Sequence, residues 1–223
     1  MSRALAAALV ASAVALAARG DARADGPLYT APKSPPAATG WIEVHTGLTF
    51  ADSLTLDQTS ALLEGAGAPG MVLGIGAHWR TTRIDLGLMF ESTSSFYFKV
   101  IEKEFATGGQ FRAAANLRWR YIEDAWGALF MRLTPGLMAF RHADPVRQQV
   151  AVLDGSQLED VDQHSVGFSL GFDFGVILYL SDKLAFTVDL DIVSATTTLG
   201  TQGGEVDYGL VRGLFTAGIE WRM

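Results

Sequence analysis

Along most of this chain every second residue is apolar, and a period of two confines it to β-structure. In 71–80, MVLGIGAHWR, Met71, Leu73, Ile75, Ala77 and Trp79 share one side, while Val72, Gly74, Gly76, His78 and Arg80 share the other. A helix would space its apolar residues three and four apart, so this alternation marks a strand. The pattern recurs over 41–50, 83–92, 110–121, 126–140, 165–180, 183–194 and 207–223, which predicts eight strands, most of 10–16 residues. Strands of soluble domains cluster at about 5–6 residues. A tilted strand that crosses a membrane takes about 9–11.

The connections 51–70, 93–109, 141–164 and 195–206 are long, and those near 81–82, 122–125 and 181–182 are short. Long and short alternate, as they do when every tight turn lies at one end of an up-and-down barrel. The expected fold is therefore all-β, an eight-stranded antiparallel up-and-down transmembrane β-barrel over 41–223, with both chain ends at the periplasmic side. Pro135 falls inside a predicted strand and lacks a ladder donor, so a bulge is expected there.

The two faces differ in charge. The proposed lipid face includes Ile42, Val44, Leu48, Ile84, Leu86, Leu88, Leu117, Leu133, Phe168, Phe172, Leu190 and Ile219, with no charged residue along it. A charge there would cost about 2–4 kcal/mol at mid-bilayer. The inner face carries the acids Glu43, Asp85, Glu91, Asp173, Asp189, Asp191 and Glu220 and the bases Arg80, Arg112, Arg118, Arg120, Arg132, Arg212 and Arg222, seven of each. Enclosed charges must be paired, because unpaired burial is costly. The candidate lumen network is Glu43, Asp85, Arg118, Arg132, Asp173, Asp189 and Glu220, with Arg118 set to pair with Asp85. Trp79, Trp119, Tyr121, Trp126, Tyr179 and Trp221 fall at strand ends beside the short turns. That is the expected place of a membrane-interface aromatic belt.

Composition narrows the remaining classes. Mean hydropathy is +0.22, yet no apolar run reaches the roughly 20 residues of a membrane helix. A basic start at Arg3, the apolar stretch 4–18 and Ala22-Arg23-Ala24 read as a signal peptide over 1–24. Residues 25–40 hold four of the seven prolines and read as an extended lead-in. The formal charge of −7 argues against a nucleic-acid partner. With no cysteine, the chain has neither a disulfide scaffold nor a thiolate nucleophile.

The chain ends FTAGIEWRM, with Phe215, Ala217, Ile219, Trp221 and Met223 alternating to the last residue. This resembles the C-terminal strand of outer-membrane proteins, although Met223 stands where that group usually has Phe. Residues 41–223 as a whole resemble the small eight-stranded outer-membrane barrels, the group of the OmpA membrane domain, OmpX and OmpW. The resemblance implies recognition of the last strand by the barrel-assembly machinery and residence in the outer membrane among lipid and lipopolysaccharide. The expected state is a monomer without a cofactor or metal.

Eight strands leave an interior just filled by side chains. The charged lumen reads as structural packing, and a gated ion path through it is the sharper alternative. Outer-membrane lipid-modifying enzymes of similar size carry His-x-Ser on a strand. The histidines here are His45, His78, His142 and His164, and only His164 has a near serine, Ser165, which alternation turns to the opposite face. The expected function is a non-enzymatic envelope-structural or surface-interaction role. The alternatives are a narrow pore or carrier for small hydrophobic molecules, which the OmpW resemblance implies, and a lipid-modifying enzyme. In the loop 141–164, Asp144, Asp154, Glu159, Asp160 and Asp162 face only Arg141 and Arg147 in number, a set able to hold a cation or bridge divalent ions to lipopolysaccharide. Phe96, Tyr97 and Phe98 read as an extension of the strand 83–92 above the membrane, with an adhesion or ligand patch as the alternative.

Overall fold

The computed structural model describes residues 40–56, 63–65, 70–94, 97–100, 103–106 and 108–223. The signal-peptide reading, all but the last residue of the lead-in, and Phe96 lie outside the described residues. The strands are β1 (Gly40–Leu56), β2 (Leu63–Gly65), β3 (Met71–Arg80), β4 (Ile84–Thr93), β5 (Tyr97–Val100), β6 (Lys103–Ala106), β7 (Gln110–Glu123), β8 (Gly127–Arg141), β9 (His164–Tyr179), β10 (Leu184–Gly200) and β11 (Glu205–Arg222). One helix, α1 (Asp144–Asp154), and a 3-10 turn (Leu158–Asp160) lie between β8 and β9.

Eight strands form a ring of antiparallel neighbours in the order β1, β3, β4, β7, β8, β9, β10, β11, closed by the pairing of β11 with β1. A closed ring leaves no free sheet edge. The alternation read from the sequence is the alternation of burial. Along β3 every odd residue is exposed and every even residue buried. The exposed set is apolar around the ring, including Leu73, Leu88, Leu117, Leu137, Phe172 and Ile192. No helix among the described residues is long and apolar enough to cross a membrane. The strands bear the apolar belt instead.

The ends of several strands differ from expectation. β10 and β11 continue past the ring as a paired ribbon to Gly200 and Glu205, so 195–206 is a hairpin closed at 201–204 and not a long loop. β1 likewise runs to Leu56 and takes up β2. Tyr97 and Phe98 do not extend β4, which ends at Thr93. They belong to β5, paired with β6 in a separate two-stranded sheet. Pro135 makes no bulge. Its β8 register is continuous toward both β7 and β9, and only the ladder pairings to Ala115 and Asn116 drop out. The register shifts lie at Phe50 in β1 and Tyr121 in β7.

The segment 141–164, read as loop, contains α1. Pro145 sits in its first turn, where a missing N–H costs nothing. Val146 and Val150, four apart, and Ala151 turn inward, and Gly155 ends the helix at φ 74°. The buried face packs on Phe140, Val161, Leu199, Val206, Tyr208 and Leu210, and this apolar core continues down to Val72, Met138, Val193 and Leu214. Arg147 fastens the helix by donating to the carbonyls of Leu158 (2.8 Å) and Val161 (2.8 Å). The interior is thus stacked in three layers: this apolar cap, an ionic middle, and an aromatic floor of Trp41, Phe130, Ile177 and Tyr179 at the short-turn end.

Candidate functional site

The ionic middle is the candidate site, and the lumen residues named from sequence meet there. Glu43 on β1 and Glu220 on β11 stand directly opposite each other across the closing seam. Like charges so placed repel. Arg118, on β7, resolves the conflict: its Nη2 donates to Glu43 (2.7 Å) and its Nη1 to Glu220. The ring of Phe130 backs the guanidinium at 4.6 Å. Asp85, the expected partner of Arg118, lies 3.8 Å from it and 3.2 Å from Arg120. Arg132 holds Asp173 and reaches Glu43 at 3.2 Å and Asp189 at 3.5 Å.

A second tier lies nearer the cap. Arg112 donates to Glu91 (3.0 Å), to Ser169 (3.2 Å) and to Thr134. The Thr134 carbonyl, next to Pro135, also accepts from Arg112 Nη2 at 2.5 Å. Arg212 donates to Thr93 (3.1 Å) and Gln110. A cavity with room for about one water, roughly 10 Å³, lies between this tier and the cap, against Val72, Met138 and Leu214.

The aromatic belt divides. Trp79, Trp119, Trp126 and Trp221 are exposed on the outer face, Trp79 at 67%. Tyr121 is half-buried beside Trp119, with ring centroids 6.1 Å apart. Tyr179 is the correction. It is 0% exposed, and its hydroxyl donates to Glu123 inside the barrel. Its neighbour Leu178 takes the outer position, so alternation itself turns Tyr179 inward. Arg80 lies 4.4 Å over Trp41 and 5.4 Å over Tyr179, an aromatic clamp on a cation that also donates to Glu220 at 3.1 Å.

Sequence reasoning missed three histidine arrangements. His45 lies 3.1 Å from Glu91 and 3.4 Å from Glu43. The signal was available, because His45 shares the inner face with Glu43. His78 is buried beside Glu43 and Glu220, and ligand atoms of the three come within 4.8 Å of one another, a set able to hold a metal ion. The fork of Arg118 already bridges both carboxylates, so the cation position is filled by a guanidinium. His142, between β8 and α1, comes 2.7 Å from Ser165, although sequence spacing gave that serine no partner. Burial holds the His142 imidazole down to about 4, with His164 and Arg147 acting in the same direction. It is a neutral base beside a hydroxyl, but its Nδ1 makes no hydrogen bond that would orient the ring.

No family model matches the chain, and no curated protein matches it. Solved structures do. The chain is similar to the outer membrane protein OprG of Pseudomonas aeruginosa, at 10% identity and TM-score 0.53, covering 85% of this chain and 98% of that one. It is also similar to Neisserial surface protein A, at 12% identity and TM-score 0.45 over 84% and 99% of the two chains. At 10% identity the likeness to OprG speaks for the fold alone, and the ring of eight antiparallel strands agrees with it: the chain has the fold of the small outer-membrane β-barrel proteins.

Proposed function

We propose that the chain is an outer-membrane barrel closed to ions, with an envelope-structural or surface-interaction role and no chemistry of its own. The observation that carries this is the filled lumen. An aromatic floor, a network of buried ion pairs and an apolar cap succeed one another along the axis. The uncharged outer belt supports residence in lipid. β11, alternating to Met223, is the strand that the assembly machinery would recognise. The knob formed by α1 and the β10–β11 ribbon is the surface offered to partners. It exposes Asp144, Glu159, Asp160, Asp162, Glu205 and Asp207, together with Val152 and Leu153 on the outer side of α1. An acidic surface of this kind favours divalent ions bridging to lipopolysaccharide.

Two measurements test this reading. A membrane-fraction band whose mobility on a detergent gel shifts on boiling is the expected behaviour of a closed barrel. In planar bilayers the purified protein is expected to give no stepwise conductance. A protein recovered soluble, without a shift, overturns the membrane assignment, and reproducible unitary steps overturn closure in favour of a narrow pore.

A further inference from the structure

The lumen holds seven buried acids, the set named from sequence, but among the described residues only six buried arginines. Arg222, counted from sequence as the seventh base, is half-exposed at the end of β11. Within the lumen the difference is met either by a carboxyl that keeps its proton or by a histidine cation, and the histidines are placed as follows. His78 is badly placed for it, with Arg80 and Arg118 both on its neighbour Glu220. His45 is well placed. Its Nε2 lies 3.1 Å from Glu91 Oε1 and its Nδ1 3.4 Å from Glu43 Oε1.

Each nitrogen of this buried ring therefore faces a carboxylate oxygen. The Nδ1 contact with Glu43 is an ion-pair distance without hydrogen-bond alignment, and no other polar group is hydrogen-bonded to Nδ1. A bare lone pair there would confront a carboxylate, whereas an N–H faces an acceptor. The path between the two acids is built by glycine. The ring lies across β3 at Gly74, where a Cβ would overlap the imidazole, and so reaches from β1 to β4. On the β11 side it meets Gly218, which carries no charge. Behind the two acids stand Arg112 on Glu91 and Arg118 and Arg132 on Glu43. His45 thus joins the tier centred on Arg118 to the tier centred on Arg112.

We propose that His45 is a buried imidazolium that joins the two ionic tiers and balances the lumen charge, so that the barrel loosens when rising pH removes its proton. Loss of the proton leaves one uncompensated negative charge and two carboxylates facing a neutral ring.

The test is histidine-15N NMR of the full mature chain folded in detergent, alongside its thermal unfolding across a pH series. His45 is assigned by elimination with His78→Gln, His142→Gln and His164→Gln. The expected result is two protonated ring nitrogens at pH 7. As pH rises, that signature is lost together with a drop in Tm of about 5 °C. His45→Gln is expected to unfold at lower temperature at pH 7 and to lack the alkaline drop. A neutral tautomer at pH 7 overturns the proposal, as does an alkaline drop that wild type and His45→Gln share. If His45→Gln does not fold, the ring spectrum of the wild type alone decides.

Discussion

Replacing Arg118 with Met tests whether the lumen network is held by charge or only by packing. The thioether fills part of the space beside Phe130 but carries no charge, so Glu43 and Glu220 are left opposed across the seam. Breaking a buried pair by removing one partner costs about 3–5 kcal/mol. Glu43 keeps Arg132 at 3.2 Å and Glu220 keeps Arg80 at 3.1 Å, which holds the expected loss within that range instead of doubling it. It corresponds to a shift of about two to three and a half decades in the folding equilibrium. Removing the stranded charge as well reverses the effect. Arg118→Met with Glu220→Gln is neutral overall, and its amide oxygen still accepts from Arg80, so at least half of the loss is expected to return. The assay is urea unfolding in detergent, followed by the fluorescence of the exposed tryptophans. Where the single variant does not insert, recovery of folded protein by the double variant reads the same quantity. A single variant within about 0.5 kcal/mol of wild type, the scale of an ordinary surface change, refutes the reasoning. So does a double variant no more stable than the single.

Three further outcomes follow from the cap and the strand packing. The His142 ring is neutral when folded, with its proton affinity depressed to about 4, and takes a proton near 6.5 when freed. Cap stability therefore falls as pH drops from about 6.5 to about 4, by something on the order of 3 kcal/mol, and levels off below. Amide exchange in α1 reads this, and a protection that stays flat across the window contradicts it. Leu199→Ala empties a fully buried position under α1 and is expected to cost about 2–5 kcal/mol locally. α1 amides then exchange faster while the boiling-dependent gel shift persists, and loss of that shift would show that cap and ring are one unit. Gly74→Ala places a methyl group on the His45 ring and is expected to cost about 1–3 kcal/mol in urea unfolding. An unchanged midpoint would mean that the ring has another resting place.

What the sequence reveals here is set by how local the signal is. Strand identity and facing are local, since a period of two shows in ten residues, and β3 and β4 carry nearly the bounds that periodicity predicts. The same rule assigns Tyr179 inward, and only its aromatic character drew it into the belt. α1 also has local marks in Pro145, the Val146–Val150 spacing and Gly155, hidden inside a stretch whose acids looked like a solvated loop. The ribbon of β10 and β11 was obscured by 195–201, ATTTLGT, a run of threonines that reads as loop although threonine favours strands. Partner choice in the lumen is not local at all. Arg118 reaches Glu43 across 75 positions and Glu220 across 102. Which acids it meets depends on the stagger of the whole ring, which pairwise strand patterns do not contain.

That stagger also explains an arrangement that cross-strand rules alone would reject. At the seam, sliding β11 by two residues preserves every inward and outward face. One such slide would set Glu43 against Arg222 and, at the same time, His45 against Glu220. Either is a better local pair than Glu43 against Glu220, the register the barrel adopts. The adopted register is favourable because Arg118 stands inside the closing ring with both nitrogens engaged, with Arg132 and Arg80 adding to it on Glu43 and Glu220. Register at the junction of first and last strands is therefore decided from across the lumen, by a residue of β7. A seam formed in isolation has no such preference. The ion pairs thus specify one closure among several that the apolar faces would accept, which is a reason for a filled barrel to carry charge where apolar side chains could have packed.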